Sequence, residues 1–300
     1  MNLDAFAGCL SSASCLITQT SAGLIIGMLL FLVACGVTLI FGVLGVINFA
    51  HGAFYMLGAY LALTAYQLTD SYLAAVLCAA AGVGLFGVAF DRLFMSRVYN
   101  SNVLMQLLVC YAFVLILDDA VKMIWGAEFQ SMGMPAAFAL RPLHVLGGLV
   151  PPFYVFLVAV TIAIAIALGG LIERTLFGKI VRAAAVNRQM VSALGINTSL
   201  LYASVFGLGA LLAGAAGALA APVRSATPGM GVSILIESFI VTVIGGMGSI
   251  AGAFTAAVLL GLVRSFGSIG FPLFTDGLMF GLMVIVLLIR PQGLFARGSA

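Results

Sequence analysis

Charge is what this sequence has least of. Among its 300 residues there are 12 Lys and Arg and 9 Asp and Glu, 7% of the chain, against 64% hydrophobic residues. A soluble domain carries about 25% charged residues because its surface must face water. The deficit excludes a soluble enzyme and a disordered chain. A net charge of +3 without a basic cluster excludes a nucleic-acid partner. Strands of a transmembrane β-barrel would alternate polar and apolar side chains, and these long apolar runs do not. What remains is an all-α, polytopic membrane helix bundle, a single domain over 1–300, in contact with membrane lipid. Its 36 glycines suit that class, because small residues let helix backbones approach closely in a bilayer.

Other absences narrow the chemistry. The five cysteines (Cys9, Cys15, Cys35, Cys78 and Cys110) form no CxxC, and neither His51 nor His144 lies near one, so no metal site is expected. Cys9 and Cys15 could close a disulfide if the N-terminus faces an oxidising compartment. No Lys or Arg precedes Arg92; the basic n-region of a signal peptide is missing, and the first apolar segment is expected to be retained. Gly178-Lys179 is followed by Ile180, so no P-loop binds ATP, and no HExxH or GxSxG appears. No catalytic residue and no cofactor is expected.

Apolar segments occupy about 21–47, 49–68, 72–90, 103–125, 151–172, 199–221, 232–247, 250–269 and 273–290, which predicts eight or nine membrane helices. Eight of the twelve cations fall on three connecting stretches: Arg92 and Arg97; Arg174, Lys179, Arg182 and Arg188; Arg290 and Arg297. Placing these inside by the positive-inside rule puts the N-terminus in the periplasm, the loop 126–150 outside, the loop 174–198 inside and the C-terminus in the cytoplasm of a bacterial inner membrane. The segment 232–247 is short and joins 250–269 through Gly245-Gly246-Met247-Gly248-Ser249. The pair is either two spans or a re-entrant Gly-rich hairpin dipping from outside. A faint echo links Val37–Gly42 to Val241–Gly246.

Few polar groups remain for function. Asp118 and Lys122, spaced i, i+4, read as an ion pair near a membrane interface beside Trp125, or as an outer vestibule acid. Glu237 stands about five residues, roughly 8 Å, into its segment with no cation within helical reach; it faces a pathway or subunit interface, or is a protonated structural acid. Asn48 and His51 interrupt the first two segments as a helix cap or as channel lining. From Arg182 to Leu194 the residues favour a short helix ended by Gly195, with Arg182 and Arg188 on a basic edge and an apolar stripe at Val186, Met190 and Ala193/Leu194. Such a helix lies on anionic lipid or docks a cytoplasmic partner.

These same residues carry a resemblance. Gly45-Val46-Ile47-Asn48-Phe49-Ala50-His51-Gly52 with Tyr55–Tyr60, Glu173-Arg174, the loop ending Leu194-Gly195-Ile196-Asn197, the glycine turn with Gly252-Ala253, and Arg290-Pro291-Gln292-Gly293-Leu294-Phe295 occur in family order across about residues 24–295. In them the chain resembles branched-chain amino acid ABC transporter permeases of the LivH type. The resemblance implies a non-enzymatic membrane subunit paired with a second, LivM-like permease, two ATP-binding ABC subunits and a periplasmic solute-binding protein. It implies that the loop through Arg182, Ala185, Asn187, Arg188, Ala193, Leu194 and Gly195 couples to the ATPases. Asn48, His51, Glu237, Gly245, Gly246 and Gly248 would form the pathway or its gate. The chain departs from the pattern at Ala53, where relatives often carry Glu, in the weaker basic stretch Asp91–Arg97, and at Glu237-Ser238-Phe239. The wider family also imports urea, short amides and small carboxylates, and the class outside it is a stand-alone, ion-driven carrier.

Overall fold

The computed structural model describes residues 3–139, 141–145 and 147–295; Arg297, expected on the cation-rich face, lies outside the described residues. A short α1 (Leu3–Ser11) leads into α2 (Ala13–Leu44), α3 (His51–Thr69) and α4 (Tyr72–Phe90). A π-turn, Asp91–Met95, carries α4 into α5 (Ser96–Val98), and α6 (Val103–Trp125) follows. The hairpin β1 (Leu143–Val145) and β2 (Gly148–Val150) precedes α7 (Pro152–Arg174), α8 (Leu176–Val186) and α9 (Arg188–Ala193). The chain closes with α10 (Thr198–Ala220), α11 (Met230–Gly245), α12 (Ile250–Gly270) and α13 (Thr275–Ile289).

Every apolar segment seen in the sequence contains a helix. Among the described residues six helical stretches are long and apolar enough to cross a membrane: Ala13–Leu44, Tyr72–Val98, Pro152–Arg174, Thr198–Ala220, Ile250–Gly270 and Pro272–Ile289. α3, α6 and α11 stand outside this set; α6 carries Asp118, Asp119 and Lys122, and α11 has only 16 residues. α2 and α10 form the centre: 83% of the most apolar window of each is buried, against 17% for α7 and 11% for Pro272–Ile289 at the periphery. Close backbone approach makes this centre dense. A Cβ on Gly36 of α2 would meet the Gly209 carbonyl of α10 and the His51 ring, so small residues are required where these helices cross.

Contacts sort the helix ends into two sets. At one end Ser14 of α2 donates to the Gly147 carbonyl of the hairpin at 2.7 Å. There Tyr72 packs on Phe153 at 5.8 Å between ring centroids and donates to the Leu219 carbonyl. Trp125 donates to Thr64 at 2.8 Å at the same end. At the opposite end Tyr99 packs on Tyr202, the Arg188 guanidinium lies 4.8 Å over that ring, and the Leu294 amide donates to Ile244. Arg92, Arg97, Arg174, Lys179, Arg182, Arg188 and Arg290 all lie on stretches gathered at this second end. The charge bias in the sequence is therefore a true separation in space.

Two helices begin inside the bundle rather than at its faces. α2 ends at Leu44, yet His51, the first residue of α3, bonds to the Val33 carbonyl and packs on Gly36. The chain between them, Gly45–Ala50, turns back by about 12–16 Å at 1.5 Å per residue. Gly45 makes that reversal in the left-handed region, φ +68°. In the other direction, α10 ends near the hairpin and the chain returns inward to start α11. Gly229 sits beside Asp118, about 10 Å along α6 from its Trp125 end. The starts of α3 and α11 meet: a Cβ on Gly231 would touch the Gly52 carbonyl. The discontinuity thus lies at the start of α11, while the 245–249 turn packs at the cation-rich end beside Gly42 and the C-terminal segment.

Candidate functional site

A cavity of about 450 Å³ at the hairpin end is lined by Tyr55, Arg224, Ser233, Glu237, Arg264 and Asp276, among others. Glu237 is not the unpaired acid expected from the sequence: Arg264 of α12 forms an ion pair with its Oε1, with 13% and 23% of the two side chains exposed. Helical reach along its own segment was the wrong criterion, because the partner comes from the neighbouring helix across the glycine turn. The second carboxylate oxygen of Glu237 remains buried without a hydrogen-bond partner. Tyr55 of α3 and Arg224 of the inward-returning segment between α10 and α11 complete the wall, so two cations and two anions surround the space. Tyr55, Arg224, Arg264 and Asp276 were not singled out from the sequence. The signal available was that Arg224 and Arg264 are cations left over from the cation-rich stretches.

Asn48 and His51 sit at the start of α3 but in different roles. The Asn48 side chain accepts the Ala50 amide at 3.0 Å, fixing the turn before the helix. It is 2% exposed, its Nδ2 has no partner, and it lines a second, apolar cavity. His51 is fully buried, and its Nε2 donates to the Val33 carbonyl at 3.1 Å. It borders none of the described cavities and wedges α3 against α2 and α10. Asp118 and Asp119 both pair with Lys122, at 2.7 and 3.2 Å.

The glycine turn serves close packing. Gly245 lies against the Gly252 and Ala253 backbones; Gly246 and Gly248 take φ +96° and +88°, a region that favours glycine. The Leu294 and Phe295 amides donate to the Ile244 and Gly245 carbonyls at 2.8 and 3.1 Å. They satisfy backbone oxygens at the end of α11 that have no intrahelical donor.

At the cation-rich end the expected helix from Arg182 to Leu194 is two helices. Asn187 breaks them: its backbone is extended and its side chain accepts the Met190 amide at 3.0 Å, capping α9. Gly195 ends α9 in the left-handed region, φ +82°. Arg182 donates to the Ile172 carbonyl, tying α8 back to α7. Ala185, Asn187, Arg188, Ala193, Leu194 and Gly195 are exposed, and Val186, Met190 and Leu194 are 88%, 63% and 74% exposed. The apolar stripe therefore points away from the protein. Beside it, burial and then the Asp91 carboxylate hold the Tyr99 phenol far above its ordinary pKa, so it stays a donor to Asp91.

The family model described as branched-chain amino acid transport system / permease component matches residues 19–287. Among curated proteins, the high-affinity branched-chain amino acid transport system permease protein BraD of Pseudomonas aeruginosa is 32% identical, covering 93% of this chain and 95% of that one. The high-affinity branched-chain amino acid transport system permease proteins LivH of Escherichia coli K12 and of Salmonella typhimurium are 29% and 28% identical over the same shares. No solved structure matches the chain.

Proposed function

Because this chain belongs to the branched-chain amino acid transport system permease family, we propose that it forms half of the translocation pathway of an importer powered by separate ATPases. The chain itself is a multi-pass membrane permease component, not an enzyme. Its proposed partners are a second, LivM-like permease, two cytoplasmic ABC ATPases and a periplasmic solute-binding protein. ATP is held by the ATPases. The periplasmic face is the hairpin end, carrying the 126–150 loop and the Cys9–Cys15 disulfide, which suits an oxidising compartment. The cation-rich end, with the 174–198 loop, is cytoplasmic.

The observation that carries this reading is the exposed apolar stripe of α8 and α9 on the cation-rich face. A lone permease gains nothing by exposing Val186, Met190 and Leu194 to water, whereas a groove in an ATPase would bury them. Arg188 on Tyr202 joins α9 to α10, and α10 crosses α2 at Gly36, so movement of the stripe reaches the centre of the bundle. In this scheme eight or nine helices cross or enter the membrane. The Arg224/Glu237/Arg264/Asp276 cavity is the outer vestibule, where groups of both signs meet a zwitterion released by the binding protein. Asn48 lines the pathway, His51 positions α3, and Gly245, Gly246 and Gly248 shape the inner end. Bulky residues at Ala193 and Gly195 in the assembled complex are expected to leave membrane insertion normal while ATP hydrolysis loses its response to the loaded binding protein. Retention of coupled transport would show that α9 does not dock the ATPase.

A further inference from the structure

α11 is too short to span a bilayer, and the side it leaves open borders charge. Its 16 residues cover about 24 Å at 1.5 Å per residue, against a hydrocarbon core of about 30 Å. Its exposed residues are Val232, Ser233 and Ile236, a single strip because residues three and four apart are neighbours on a helix surface. Val232 and Ile236 line the apolar cavity of about 330 Å³, whose walls include Tyr111 of α6 and Phe280 of α13. Ser233 lines the charged cavity with Arg224, Glu237, Arg264 and Asp276. Both cavities therefore border one outward strip of α11, flanked by α6 and α13.

Lipid is a poor cover for that strip. Glu237 stands about 12 Å along α11 from its Gly245 end, and Ser233 and Asp276 on the wall of the same cavity are exposed. The segment that returns inward to start α11 adds exposed irregular backbone at Ser225 and Gly229. Ser225 lines the charged cavity, and Gly229 lines a small cavity beside Val232. Charges and non-helical backbone occur at membrane depth only within protein or beside water, because hydrocarbon offers them no partner. α4 is the contrast: Tyr72–Phe90 carries no charged residue, and lipid suits its exposed Leu73, Leu77 and Leu85. Arg224 and Arg264 match Glu237 and Asp276 in number, so whatever covers the strip needs an apolar wall and no countercharge.

We propose that the α6–α11–α13 face is the surface on which the second permease seats. Apolar side chains of one of its helices pack on Tyr111, Ile236 and Phe280, all half-exposed in this chain. The rest of the partner closes the open side of the charged cavity. The proposal rests on the permease reading and adds to it which face the two permeases share. The pathway then runs along α11 between the two chains, with Asn48 on its inner wall.

A photoreactive benzoylphenylalanine installed at Tyr111, at Phe280 or, as a control on α4, at Leu77 tests this in membranes of cells that express the complete complex. Irradiation should join the chain to the second permease from Tyr111 and Phe280 and not from Leu77. Ile236→Arg sets an unmatched cation on the strip. It should cut co-purification of the second permease about tenfold or more, the effect of one interface hot spot, with membrane insertion of the chain unchanged. If that variant fails to insert, the photoadducts alone decide. A pair that co-purifies intact yet yields only lipid adducts at Tyr111 and Phe280 would overturn the assignment, as would a product joining two copies of this chain. A second permease that never co-purifies with the wild-type chain would instead sink the reading of the chain as half of a pathway.

Discussion

Glu237 shows how much one side chain's environment depends on a neighbour that sequence spacing does not reveal. Its depth in the segment was legible from the hydropathy pattern, but its partner was not. Arg264 lies in the following helix, and only the α11–α12 packing brings the two together. With both side chains mostly buried, removing either one leaves an uncompensated charge. Glu237→Ala or Arg264→Ala alone should each destabilise the protein by about 3 kcal/mol, the low end for a broken buried pair. The double substitution should cost clearly less than the sum. Thermal inactivation of the detergent-solubilised protein checks this; additive losses would show that the pair contributes no coupling. Asn48 and His51 teach a related lesson. They are neighbours in one motif, yet the turn at Gly45 sends Asn48 toward a cavity and buries His51 against Val33.

Helices were largely legible as apolar runs, and so were the interruptions at 48–52 and 245–249; the break at Asn187 was not. The run 182–194 reads as one helix because its residues all favour helix. The break arises because the Asn187 side chain competes for the Met190 amide. Asn187→Ala should therefore weaken α9 by about 1 kcal/mol. Amide exchange across 188–193 should quicken, with exchange in α10 unchanged; equal exchange in both proteins would remove the cap from the account. The starts of α3 and α11 were hidden for a different reason. A helix that begins in mid-bundle differs from one that begins at the surface only in its tertiary neighbours. A Cβ on Gly52 would strike the Gly231 carbonyl, and one on Gly231 the Gly52 carbonyl, so neither position has room for a side chain. Gly52→Val should push the two helix starts apart and abolish leucine uptake with the chain still inserted in the membrane. Undiminished uptake would mean the two starts need not touch.

At the scale of the whole molecule, scarce charge proved the most readable property. Seven described cations marked in the sequence share one end, while two of the four left over from that pattern, Arg224 and Arg264, line the cavity near the other. The proposed orientation rests on that separation. A cysteine placed at Met190 should react with a membrane-impermeant thiol reagent only from the cytoplasmic side, and one at Leu143 only from the periplasmic side; the reverse pattern would invert the topology. What the sequence could not show at this scale was how the faces connect. α2 and α10 cross at Gly36 and Gly209, so one packed centre lies between the proposed docking surface and both cavities. The central claim, that this chain moves its solute only when driven by separate ATPases, is tested most directly by leucine uptake into proteoliposomes as components are omitted one at a time. Uptake is expected to require ATP, both permeases, the ATPases and the binding protein. Gradient-driven uptake by this chain alone would contradict the account.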